Sequence, residues 1–81
     1  MVFGLTRLRD KLYVIHRKSD TIVVYEAESP YTRLQDIPVN GLKHPSDMAA
    51  CVNSGSLYIA DSMTAVWRIG VSEKSVEKWK T

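Results

Sequence analysis

The sequence predicts an all-β chain made of two consecutive four-stranded antiparallel units. Three observations lead there: an internal repeat of about 42–45 residues, short β-branched and aromatic runs separated by turn residues, and no sustained helical spacing. Leu12-Tyr13-Val14 recurs as Leu57-Tyr58-Ile59, 45 positions on. Leu8 aligns with Val52, and Ile22-Val23-Val24-Tyr25 with Val66-Trp67-Arg68-Ile69, each 44 positions on. Leu34 and Ile37 align with Val76 and Trp79, 42 positions on. The offset drifts at turns, where insertions are tolerated.

Strands are expected near residues 3–8, 12–16, 21–26 and 31–37 in the first half and 47–52, 56–61, 65–70 and 75–80 in the second. Arg9-Asp10-Lys11 and Asn53-Ser54-Gly55 close hairpins, Ser29-Pro30 and Ser72-Glu73-Lys74 break strands, and Asn40-Gly41 separates the halves. The boundary gives units of 1–39 and 40–81. Period-two patterning places Leu12, Val14 and His16 on one face of the second strand and Tyr13 and Ile15 on the other. Both sets are largely apolar, as in a sheet covered on both sides. The fourth strands, with Arg33, Gln35 and Asp36 or Glu77, Lys78 and Lys80, have the charge of a sheet edge.

A four-stranded unit of this period is that of a β-propeller blade, which buries both faces only between neighbours. Two blades leave two apolar faces open, and open apolar faces mark interaction surfaces. The alternative is a closed eight-stranded sandwich or barrel with similar halves, a monomer of 9.2 kDa. The chain begins on an inner strand and ends on an outer one, which reads as two whole blades, an excised or engineered fragment of a longer repeat protein or a relic of duplication.

Composition narrows the remaining classes. The 81 residues are 44% apolar and 25% charged, ordinary for a small globular domain. Eleven basic and nine acidic residues leave +2 with no basic block, so nothing in the charge pattern supports nucleic acid binding. The longest apolar runs, such as residues 48–52, fall far short of the roughly 20 needed to span a bilayer, and residues 1–5 lack the features of a signal peptide. One cysteine, Cys51, cannot form an internal disulfide, and its place between Ala50 and Val52 suggests a small buried apolar residue.

Leu42-Lys43-His44-Pro45-Ser46-Asp47-Met48-Ala49, followed by Gly55-Ser56-Leu57-Tyr58-Ile59-Ala60-Asp61-Ser62, resembles the repeat of NHL-type six-bladed propellers. That repeat has a proline before the inner strand, a glycine turn, and an apolar run ending in Ala-Asp-Ser. Residues 42–71 carry most of the resemblance and residues 1–39 a weaker copy, with His16 where the second half has Asp61. It implies six blades, hence three copies closing a ring head to tail, with four copies and eight blades as the runner-up.

Candidate ligand or partner loops contain His16, Arg17, Lys18, His44, Asp61 and Ser62, and the expected loops 16–21, 40–46 and 61–65 share one end of the assembly. Asp61-Ser62 either meets a polar ligand or satisfies backbone N–H groups of its own turn. His44 would recur around a threefold axis, where three imidazoles suit zinc, although a histidine before proline is also an ordinary extended turn residue. Arg7, Arg9, Arg17, Lys18 and Lys43 form either a basic rim, as in RNA-binding NHL propellers, or a solvated edge balanced by Asp10, Asp20 and Asp47. Tyr13, Tyr25, Tyr58 and Trp67 are either a stacking surface or packing between blades. The resemblance also raises metal-dependent hydrolysis, for which Asp47 and Asn53 are the available candidates, yet Asp47 also reads as a strand start and Asn53 as a hairpin residue. No nucleophile motif or phosphate-cradling glycine loop is present. The expectation is a non-enzymatic module without a cofactor, whose partner is another copy of itself, with RNA or metal binding as the alternative.

Overall fold

Eight strands form in the predicted order in a computed structural model that describes residues 2–16, 19–62, 65–71 and 75–80. The first sheet holds β1 (Val2–Leu8), β2 (Lys11–His16), β3 (Thr21–Glu26) and β4 (Arg33–Pro38). The second holds β5 (Pro45–Cys51), β6 (Ser56–Asp61), β7 (Val66–Gly70) and β8 (Ser75–Lys80). In each sheet every strand pairs antiparallel with its neighbour in sequence.

Local chemistry accounts for the turns. Arg9 and Asp10 alone join β1 to β2, with Arg9 at φ 58, whereas the corresponding hairpin of the second sheet takes four residues, Val52–Gly55, closed by the Gly55 N–H on the Val52 carbonyl at 3.2 Å. The Ser29–Pro30 bond is cis. Tyr31 stands at φ 56, outside the extended region, and β4 begins at Arg33 rather than at residue 31. Strand β5 begins at Pro45, two residues before Asp47, because a proline is compatible with the first position of a strand. The turn expected at Ser72–Lys74 and the side chain of Trp79 lie outside the described residues.

Unequal hairpins also correct the alignment of the halves. Leu8 lies opposite Lys11 as Cys51 lies opposite Ser56, so Leu8 corresponds to Cys51 and not to the exposed loop residue Val52. The inner strands therefore correspond at an offset of 43 and the second strands at 45, the difference being the two extra hairpin residues.

The sheets stack through one apolar core. Tyr13, Ile15, Ile22 and Val24 of the first sheet meet Leu57, Ile59, Trp67 and Ile69 of the second. The alternation expected in β2 is present: Tyr13 and Ile15 enter this core, while Leu12, Val14 and His16 take the opposite face. Among the described residues, β1 and β5 are the only strands of different sheets whose Cα traces approach within 8 Å. Gly4 lies at that approach, where a Cβ would make ordinary contacts at 3.5 Å with Ile15 and 3.8 Å with Met48. Toward the outer strands the sheets part, leaving a groove of about 280 Å³ between residues 35–38 on one side and residues 69–71 with Ser75 and Val76 on the other.

The linker between the sheets closes one end of the core. Val39 and Leu42 are buried in it, and the Val39 N–H donates to the Asp20 carbonyl at 2.7 Å. Gly41 turns between them at φ +100, and a Cβ there would stand 3.2 Å from the Trp67 indole. Gly41→Ala is therefore expected to cost about 2 kcal/mol from left-handed backbone alone, before any shift of the indole. A thermal melt followed by circular dichroism should show a drop of about 10 °C.

Candidate functional site

Two regions have functional potential: the loop end that includes the linker, and the two outward sheet faces. At the loop end, strand alternation turns Asp61 inward after Leu57 and Ile59, so its carboxylate is only 6% exposed beneath the linker. Its Oδ2 accepts the Lys43 N–H at 2.8 Å and its Oδ1 the His44 N–H at 3.3 Å. The Ser62 N–H and Oγ both donate to the His44 carbonyl, at 3.1 and 3.2 Å. Asp61 also exchanges backbone bonds with Ala65, N–H to carbonyl at 2.7 Å and 3.2 Å.

His44, Asp61 and Ser62 are thus brought together, through the main chain of His44. The Asp61 carboxylate holds a segment 17–18 residues earlier, because the linker crosses the end of β6, and the turn it is expected to satisfy includes residues 63 and 64, which lie outside the described residues. His16 corresponds to Asp61, opposite Val2 as Asp61 is opposite Pro45, and is half-buried on the outward face, with its carbonyl accepting the Ser19 N–H at 3.0 Å. Arg17 and Lys18 lie outside the described residues. The described parts of loops 16–21, 40–46 and 61–65 share this end, as the Thr21–Pro38 pairing and the Ser62–His44 bonds require.

The expected basic rim divides between two ends. Arg7 and Arg9 sit at the hairpin end, where Arg7 Nε donates to the Arg9 carbonyl at 2.8 Å and Arg9 Nη2 reaches the Val52 carbonyl of the second sheet at 3.0 Å. Lys43 sits at the linker end. Asp47 is exposed and accepts the Met48 N–H at 2.9 Å. Among the described residues no group of three or more His, Cys, Asp or Glu side chains is placed to hold a metal ion.

Cys51 is half-buried at the end of β5, not enclosed in mid-strand, and hydrogen bonding from Ser54 holds its thiol below the ordinary thiol range. The aromatic residues divide between core and surface: Tyr13 and Trp67 pack between the sheets, and burial raises the Tyr13 phenol above its usual value. Tyr25 and Tyr58 are half-buried on the outward faces.

The outward faces differ in shape. On the first sheet Leu5, opposite Val14, stands 60% exposed beside Leu12, Val23 and Tyr25. On the second, Asp47, Ala49, Tyr58, Ala60 and Val66 surround a shallow hollow of about 160 Å³. Arg68 crosses the same face to Glu77 at 3.1 Å.

Corresponding residues of the two sheets point opposite ways relative to the shared core. Tyr13 is in that core and its counterpart Tyr58 is on the outward face; Leu12 is outward and its counterpart Leu57 is in the core. Ile22 and Val24 face inward where Val66 and Arg68 face outward, and Val23 and Tyr25 face outward where Trp67 and Ile69 face inward. The sheets therefore stack in the same sense, front to back, instead of presenting like faces to each other as a two-fold sandwich would. No known family model, curated protein or solved structure matches the chain.

Proposed function

We propose that this chain is a non-enzymatic assembly module whose two sheets act as successive propeller blades, and that copies associate head to tail into a closed ring. The front-to-back stacking supports this reading above all. A front-to-back pair leaves one front and one back exposed, and these are the same two kinds of surface already joined inside the chain. A second copy can repeat that contact without a new type of interface, and repetition of such a heterologous contact gives a ring when its rotation closes.

The splay of the sheets supports closure over a straight stack. Contact of β1 with β5 at the inner edge, and a groove at the outer edge, make the pair a wedge. The resemblance of residues 42–71 to the NHL repeat favours six blades and three copies, with four copies the next choice. In such a ring the linker end, with His16, His44 and Ser62, is presented three times on one side, available to a further partner.

Size-exclusion chromatography with light scattering at micromolar concentration tests the reading. The expected mass is three times 9.2 kDa, about 28 kDa. A monomer throughout the concentration range would refute it.

A further inference from the structure

We infer that Leu5 is the knob, and the hollow between Ala49, Tyr58, Ala60 and Val66 the socket, of the contact between two copies of this chain; this rests on the assembly reading above. Strand register makes the assignment. Leu5 lies opposite Val14 as Met48 lies opposite Ile59, so Leu5 holds in the first sheet the place of Met48 in the second. Met48 packs against the internal core, and its Cε would be 3.8 Å from a Cβ on Gly4, itself opposite Ile15. Carried forward by one sheet, Gly4 becomes Asp47, Thr6 becomes Ala49, Tyr13 becomes Tyr58, Ile15 becomes Ala60 and Ile22 becomes Val66.

Those second-sheet residues line the hollow of about 160 Å³. It corresponds to the place where Met48 approaches Gly4 in the internal contact, with alanines where the first sheet has Thr6 and Ile15 and Asp47 where it has Gly4. Leu5, the most exposed of the large described apolar side chains at 60%, is the residue that the same stacking would deliver there. Asp47, in the place of Gly4, accepts the Met48 N–H through its own carboxylate, and alanines, an aromatic ring and a valine form the rest of the lining. The occupant this surface selects is a second copy, because the chain itself has the matching side chain at the corresponding position of its opposite face.

Two variants with opposite defects test the pairing. Leu5→Asp removes the knob and leaves the socket, whereas Ala60→Arg fills the socket and leaves the knob. Each is expected to weaken self-association about 100-fold or more, since each forfeits apolar burial and places a charge in the contact. Sedimentation equilibrium of each alone should give monomer, with the β-sheet circular dichroism and cooperative melt of the parent. An equimolar mixture at about 100 µM should give a 1:1 dimer, because one intact knob then meets one intact socket. Cys51, on the same face as the socket, provides a second readout: its alkylation should slow in the mixture relative to Leu5→Asp alone. A parent chain that assembles while both variants assemble equally well overturns this inference and leaves the assembly reading standing. Folded variants whose mixture forms no dimer also overturn it, and a monomeric parent overturns both. Should one variant fail to fold, assembly of the other at parental affinity is sufficient to overturn the pairing.

Discussion

Asp61→Ala is expected to lower stability by about 3 kcal/mol, which in a chain of this length moves the melting midpoint by roughly 15 °C. The carboxylate is buried and accepts two main-chain N–H groups, from Lys43 and His44. Hydrogen bonds to a charged acceptor contribute about 1.5–3 kcal/mol each, and removal of the acceptor strands both donors beneath the linker. Asp61→Asn preserves the shape and one acceptor oxygen but turns an amide NH2 toward the other N–H. It should fall between parent and alanine. Hydrogen exchange locates the effect: the amides of Lys43 and His44 should lose protection before those of β2 and β3. Equal melting of alanine and parent would show that this clamp contributes nothing.

The second large effect is expected at Trp67. Its indole is 8% exposed and lies between the core and Gly41, so Trp67→Ala removes one of the largest buried side chains where the linker meets the second sheet. Such truncations cost about 3–5 kcal/mol. Against a total of about 4–12 kcal/mol for 81 residues, that is a large share of the stability. Urea titration should move the midpoint to markedly lower denaturant with little change in slope. The contact with Gly41 adds an internal control. Gly41→Ala should cost less in the Trp67→Ala background than in the parent, because only the backbone strain then remains. Additive costs would show that the indole does not constrain the glycine.

The pattern of apolar alternation made the eight strands readable, and β3, β6 and β8 have the expected bounds. It could not reveal the correct match of β1 to β5. Two-residue and four-residue hairpins shift the register by two, and leucine against valine looks a better match than leucine against cysteine. Pro45 reads as preceding the inner strand, yet at the first position of a strand its missing N–H matters least. Lys43 and His44, whose N–H groups the Asp61 carboxylate accepts, lie 17–18 residues away in a loop, beyond the reach of local turn chemistry. The knob and socket escaped for another reason. Alternation in β2 identifies two apolar faces without saying which one meets the second sheet, and only that choice makes Leu5 exposed and Ala60 part of a hollow.

The meander order of each sheet also bears on how the chain reaches this structure. Since every strand pairs with its sequence neighbour, each sheet can form through short loops, with little closure entropy to overcome before contacts begin to repay it. The approach of β1 to β5 joins residues about 43 apart, so docking one meander on the other is the non-local event. The residues that bind the linker are placed where that event occurs. Asp61 and Trp67 draw the connecting segment against the second sheet, which shortens the effective tether between the two halves. The same side chains that stabilise the finished stack thereby raise the local concentration of one sheet at the face of the other.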